Sequence, residues 1–394
     1  MQVFIKDDMP IQSLFEHFAK SGHEIRLVGG AVRDIIKGQI PKDYDFATTA
    51  TPDQMMDMIT DFWKVIPTGI DHGTVTFMSP FGSFEVTTLR QDVETDGRHA
   101  VVEFTSDWKI DAARRDFTMN AMSMDRHGNI FDYFEGQKHM TQGMIHFVGD
   151  AKQRIEEDAL RIIRFFRQRA RFKLDSTGSD EGAILNNIHL LKKVSTERVW
   201  QEIKKAAEYP YCFAQFFQDL RAYTILEQFG FEFDPVFRNE RINNLESYIQ
   251  EFPEFAVTVK MTEANVHAFA EIFKVSSAEK AKMIWFAQNK DKDIDTNVVE
   301  DLINAGVIRE WVQALTQFKK DFGAFCHAGD YIISTFPVTG NDLIALGVKP
   351  GKPFGIMLED MKSIWKESRY TLTKDEIIDQ YHIERYHRAY DQPN

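Results

Sequence analysis

The chain has 394 residues, 43% of them hydrophobic and 27% charged, with a formal net charge of −13. That length suggests two or more domains, and 33 phenylalanines supply enough apolar surface for cores without disulfide or metal staples. Only two cysteines occur, the well-separated Cys212 and Cys326, which argues against a zinc site or a disulfide framework.

No apolar run approaches the roughly 18 residues of a membrane span, and the N-terminus has no apolar signal core. A soluble, cytoplasmic protein is therefore expected, with no membrane partner. The negative charge warns against a nucleic-acid partner, because phosphate binding calls for Lys and Arg. Its distribution matters more than its sum. From Ala151 to Lys173 there are eight basic residues against three acidic ones.

In chain order, the first 135 or so residues alternate strand-like runs with turn signals. EIRLVGG (24–30) reads as a strand entering a glycine turn. HGTVTFMS (72–79) and GSFEVTTL (82–89) alternate and flank Pro80 and Phe81, which predicts an antiparallel hairpin. RQDVETDGRHAVVEF (90–104) is polar and of mixed charge, and reads as a mobile loop. Beyond about residue 140 helical periodicity takes over, through 153–172 and 195–209, the latter with an N-cap at Ser195. The pattern is a small α/β head followed by a helical arm, joined near 136–150.

KDYDFATTA (42–50) sets Asp43 and Asp45 two residues apart. On a strand these carboxylates share a face, where they repel each other unless a hard cation such as Mg2+ lies between them. Such an ion can activate a 3′-hydroxyl and neutralise leaving pyrophosphate. Asp-x-Asp alone is usually a solvated turn. LVGGAVRD (27–34) changes the balance, because Gly29 and Gly30 allow a tight turn into a helix whose first amides can hold phosphate oxygens. Arg33, one turn in, is placed to add a charged contact.

These two elements, with RRDFTMNAM (114–122) and EEDALRIIRFFR (156–167), resemble the tRNA nucleotidyltransferase/bacterial poly(A) polymerase family, class II. Weaker similarity continues in VSTERVWQEI (194–203) and TGNDLIALGVKPGKPFG (339–355), so the resemblance spans most of the chain. It implies an α+β fold, with a nucleotidyltransferase head of mixed sheet and flanking helices before an all-α neck, body and tail. The expected boundaries are 1–140 for the catalytic head, 141–210 for a base-recognising neck, and 211–394 for a tRNA-binding body and tail.

The resemblance also implies that Arg115 and Asn120 help hold the nucleotide, that Asp158 and Arg161 read its base, and that Arg164 and Arg167 line the site. An acid and a base three apart on a helix are neighbours, and usually form only a surface ion pair. Here a carboxylate accepting an amino group beside a guanidinium donating to a ring nitrogen would suit cytosine and adenine, and would mismatch uracil and guanine. Glu85 is a candidate third carboxylate on a neighbouring strand. In related enzymes a loop such as 90–104 helps switch specificity, which points to Asp92, Asp96 and Arg98, although this chain has Arg98-His99-Ala100 where an Arg-Pro is common. Lys349 and Lys352 are candidate tRNA contacts.

The resulting expectation is a CCA-adding enzyme using CTP, ATP and Mg2+ on the tRNA 3′ end. A poly(A) polymerase is the first alternative, disfavoured by a tail that is not strongly basic. A CC-adding enzyme and a non-catalytic RNA-binding protein are the others. Nothing in the sequence fixes the oligomeric state, a homodimer included.

Overall fold

The computed structural model describes residues 9–95, 100–231, 253–258, 261–346, 348 and 352–381. They fall into two compact units, Met1–Lys280 and Ala281–Asn394.

The first unit opens with the helix Met9–Lys20, which buries Ile11, Leu14, Phe15 and Phe18. That spacing puts one apolar stripe on a mixed seven-stranded sheet. Phe15 meets Phe46 edge-on with ring centres 5.6 Å apart, and Phe18 lies 5.1 Å from Phe77. The strands are β1 (Ile25–Val28), β2 (Asp45–Thr48), β3 (Lys64–Gly69), β4 (Thr74–Ser79), β5 (Gly82–Thr88), β8 (Met122–Met124) and β9 (Ile130–Asp132). Their order across the sheet is β3-β4-β5-β2-β1-β8-β9. Only β2 and β5 pair in parallel; the other neighbours are antiparallel, and β4–β5 is the expected hairpin, closed at Ser79 and Gly82.

The stretch 90–104 departs from its reading as a loop. β6 (Arg90–Thr95) and β7 (Ala100–Phe104) form an antiparallel ribbon, pairing Arg90 with Phe104 and Thr95 with Ala100. Its polar composition hid two strands whose backbone bonds are made to each other rather than to the main sheet.

Among the described residues the chain after the sheet is helical, as expected of the fold class, apart from a two-residue parallel ladder between Met144–Ile145 and Asp175–Ser176. The run 153–172 is not one helix. One helix covers Ala151–Glu157, Asp158 is extended (φ −154°), and a second covers Leu160–Phe172. Asp158 breaks the run because its Oδ1 accepts the Leu160 amide at 3.1 Å, the competition between side chain and backbone that makes Asp a poor interior helix residue. The second helix buries Phe165 and Phe166; Phe165 stacks on Phe147 with ring centres 5.4 Å apart. The helix Thr196–Ala207 does start after Ser195, but the serine side chain makes no capping bond.

Two small cores lie among the described residues of the second unit. One gathers Val299, Ile303, Val312, Ala324 and Ala328; the other centres on Leu343, Met361, Ile364, Trp365 and Ile377. Among the described residues no helix is long and apolar enough to cross a membrane.

One glycine fixes the geometry carried forward to the site. Gly136 starts a short helix, Gly136–Thr141, packed so tightly that an added Cβ would sit 2.3 Å from the Thr118 carbonyl oxygen. Thr118–Asn120 is the turn that presents Asn120. Gly136→Ala is therefore expected to destabilise the protein by about 1–3 kcal/mol, the usual range for overpacking. A denaturant titration against the unaltered chain measures it, and an unchanged midpoint would contradict the tight packing.

Candidate active site

The site grows from the turn after β1. Gly29 has φ 69°, and an added Cβ would come 3.1 Å from the Arg115 guanidinium. Only glycine satisfies both the left-handed backbone and that approach. Its amide donates to the Met122 carbonyl at 3.3 Å, so this amide serves the fold rather than a phosphate. The helix Gly30–Ile36 follows.

Arg33 is buried (4% exposed) and tied down. Its Nη1 donates to Asn120 Oδ1 at 2.7 Å and its Nε to Asp34 Oδ1 at 2.9 Å, with the guanidinium over the Phe172 ring. Burial lowers its pKa, and Asp34 opposes the shift. Asp34 also takes Arg171 Nη2 at 3.0 Å. Arg33 was expected simply to point at phosphate; it also ties the glycine turn to the later helices.

Asp45 begins β2, while Asp43 lies in the bend before it, so strand alternation does not by itself align the pair. Asp45 is in parallel register with Glu85 on β5, which brings the candidate third carboxylate alongside. The Asp45 carboxyl is pushed up by desolvation, then by Glu85 and Asp43, against the pull of Arg115. A divalent cation beside Asp45 would relieve the opposition that Glu85 and Asp43 offer to its charge. Among the described residues no three His, Cys, Asp or Glu side chains converge into a ready metal cage. Such an ion would therefore need phosphate or water oxygens to complete its shell.

RRDFTMNAM supplies the opposite wall. Asp111 accepts Arg114 Nη2 at 2.8 Å on one oxygen and Arg115 Nη2 at 3.0 Å on the other. Asp116 is saturated: Oδ1 takes the Phe117 amide and Asn120 Nδ2, and Oδ2 takes Arg164 Nε and Nη2 at 2.8 and 2.5 Å. Burial alone would raise the Asp116 carboxyl; Arg164 and Asn120 overcome it and hold the group well below the usual carboxylate range. Arg167 Nε donates to the buried Glu202 at 2.6 Å, and Arg164 Nη1 lies 3.7 Å from the same carboxylate.

Asp158 and Arg161 are not paired, because the chain leaves the helix between them. Asp158 Oδ2 accepts Arg198 Nη2 at 2.7 Å. Arg161 Nη1 donates to Glu157 at 2.7 Å and to the Arg154 carbonyl, and its Nη2 to the Arg114 carbonyl at 2.9 Å. The expected helical adjacency is thus wrong, although both residues face the same space.

That space is a cavity of about 650 Å³. Gly29, Gly30, Arg33, Asp45, Arg115, Asn120, Asp158, Arg161, Arg164 and Arg167 all line it. Asp43 and Glu85 are not in its lining. Arg90, Arg114, Arg171, Arg198 and Lys205 also line it, none of them assigned to the nucleotide site from sequence, so ten cationic side chains meet three carboxylates. That imbalance suits a polyanion such as a nucleoside triphosphate.

The sequence reading also missed Asp111, Glu157 and Glu202 as supports. Glu202 left a signal: with Val199, Ile203 and Ala206 it falls on the buried stripe of its helix, where a carboxylate needs a cation. Asp96, Arg98 and Lys349 lie outside the described residues, and so do the side chains of Asp92 in β6 and of Lys352, which begins the helix Lys352–Glu367.

Residues 25–146 match the family model described as the poly A polymerase head domain. Over 396 residues the chain is 35% identical to the mitochondrial CCA tRNA nucleotidyltransferase 1 of Mus musculus, a match covering 93% of this chain and 88% of that protein. It is 40% identical over 194 residues to a CCA-adding enzyme of Staphylococcus haemolyticus, across 49% of this chain and 48% of the other. The crystal structure of the Bacillus stearothermophilus CCA-adding enzyme in complex with CTP shares the fold, with TM-score 0.75 at 23% identity, over 98% of this chain and 100% of that one.

Proposed function

Since the chain belongs to the CCA tRNA nucleotidyltransferase family, we propose that its cavity adds C, C and A in turn to the tRNA 3′ end. CTP and ATP supply the nucleotides, and pyrophosphate is released. One observation carries the reading: a single cavity brings Asp45 and the glycine turn together with Asp158, Arg161 and an excess of arginine. One carboxylate of the metal pair, the cations for a triphosphate and the partners for a base edge then lie within one volume.

Asp43 and Asp45, with Glu85 beside them, would hold Mg2+. When bound, the ion supplies Lewis-acid activation of the primer hydroxyl and charge neutralisation on the phosphates. The chain's own residues do the positioning. Arg33, Arg115, Arg164 and Arg167, pinned by Asn120, Asp111, Asp116 and Glu202, present fixed donors to the triphosphate. Held so, they need little reorganisation as negative charge shifts from the α-phosphate to the leaving pyrophosphate. The primer oxygen forms its bond to the α-phosphorus as the bridging bond to pyrophosphate breaks in line. Asp158 accepts from the amino group of cytosine or adenine, and Arg161 donates to the adjacent ring nitrogen.

In this reading residues 1–140 are the catalytic head, 141–210 the base-reading neck, and 211–394 the tRNA-binding body and tail, with Lys349 and Lys352 on phosphate. Asp92, Asp96 and Arg98 would adjust the site between C and A addition. The scarcity of cysteine supports a cytoplasmic setting.

The test uses purified protein, Mg2+ and tRNAs ending before CCA, after C or after CC, each with CTP, ATP or both. Ordered addition of three residues followed by a stop is expected. Long oligo(A) tails would replace this reading with a poly(A) polymerase, and a halt at CC with the partial enzyme. Asp158→Ala is expected to raise UTP incorporation relative to CTP by about tenfold or more, the scale of losing a hydrogen bond to a charged partner. Unchanged discrimination would remove Asp158 from the base-reading role.

A further inference from the structure

Asp158 sits where one helix has ended and the next has not begun, so no helical backbone fixes its side chain. Two hydrogen bonds do so instead. The Leu160 amide takes Oδ1 at 3.1 Å, and Arg198 Nη2, from the helix Thr196–Ala207, takes Oδ2 at 2.7 Å. The Arg161 side chain is fixed from elsewhere, by Glu157 and two backbone carbonyls; the two residues meet only through the backbone, where the Arg161 amide donates to the Asp158 carbonyl at 3.0 Å. The two side chains of the base edge reader are thus held by separate partners.

We propose that Arg198 is a specificity-determining positioning residue, acting through Asp158 and resting on the reading that Asp158 meets the base. A carboxylate oxygen has two lone-pair sites. Arg198 fills one on Oδ2 and leaves the other for an exocyclic amino group. A carboxylate held in this way offers only acceptors to the base. An acceptor-only group meets the amino group of cytosine or adenine and repels the carbonyl of uracil or guanine. Without Arg198 nothing among the described residues bonds Oδ2, and the carboxyl is free to rotate away from the base edge.

As a contribution to the fold this ion pair is minor. The Arg198 and Asp158 side chains are 33% and 23% exposed, and ion pairs open to solvent are worth little.

The experiment compares Arg198→Met, Arg198→Lys and Asp158→Ala in the full chain, with Mg2+ and a tRNA lacking CCA. Single-turnover incorporation of CTP and UTP is read separately, with thermal melting as the check on folding. Arg198→Met is expected to raise the UTP-to-CTP ratio by about tenfold, and Arg198→Lys, which can still pair with Asp158, to restore most of it. Should Arg198→Met fail to fold, Arg198→Gln carries the same comparison.

A purely structural contact would slow CTP and UTP equally and leave the ratio fixed. If Asp158→Ala loses discrimination while the Arg198 variants keep it, the Arg198 assignment is overturned and base reading by Asp158 stands. If Asp158→Ala keeps discrimination as well, both fall.

Discussion

Replacing Asp45 with Ala is expected to abolish nucleotide addition with CTP and with ATP alike, by at least about 10³-fold, while leaving the fold intact. The scale follows from the several kcal/mol that a bound cation contributes to transition-state charge, at about 1.4 kcal/mol per factor of ten. Asp45 lies at the start of β2, and its carboxyl is pushed up by desolvation and by Glu85 and Asp43. Removing it relieves that repulsion, so melting should hold or rise even as activity disappears.

Opposite signs in stability and activity are what distinguish a functional carboxylate from a structural one. Asp43→Ala should behave in the same way. Glu85→Gln, which leaves the pair in place and removes charge only from the adjoining strand, should cost far less. Single-turnover assays with each nucleotide read these effects, beside melting curves for the same proteins. Residual activity within tenfold of the unaltered enzyme in Asp45→Ala would mean that the metal lies elsewhere.

How much of this was legible beforehand depended on whether the signal was local. The glycine turn and the β4–β5 hairpin are written in adjacent residues, where backbone preference and alternation act directly, whereas Asp43 and Asp45 were legible as a motif although Asp43 lies in a bend outside the strand. The ribbon 90–104 was missed because its strands pair with each other and its sequence is polar and of mixed charge, leaving no clear apolar alternation to find. The break at Asp158 was missed for a related reason. Apolar periodicity runs straight through 153–172, and only a side chain bonding its own backbone two residues on interrupts it.

Partner choice was the least legible feature. Spacing put Asp158 beside Arg161, whereas the structure joins each of them to a different residue. Asp158 finds its cation forty positions along the chain, and a contact of that range leaves no trace in local pattern.

Asp116 shows how far the site depends on such pairing, and Arg164→Met should be the costliest of these changes for stability. It strips the only guanidinium bonded to Asp116 among the described contacts and leaves a buried carboxylate unbalanced, which typically costs about 3–5 kcal/mol. The pH dependence should invert. In the unaltered protein the Asp116 pKa lies below its unfolded value of about 3.9. Its contribution is then present above pH 4, and is lost only as pH falls through the low folded value.

Without Arg164, desolvation dominates and the folded pKa rises above 3.9. The protein then loses stability as pH rises from about 4 toward that raised value. The gap between the two proteins should be widest near pH 7 and narrow on acidification to pH 5. Denaturant titrations at both pH values measure it.

Adding Asp116→Asn to Arg164→Met removes the stranded charge and should recover part of the loss, while addition should stay slow if Arg164 meets the triphosphate as proposed. If the double variant is no more stable than Arg164→Met alone, the destabilisation comes from lost packing rather than from the unpaired carboxylate. The ion pairs behind the arginines would then be incidental to how they are held.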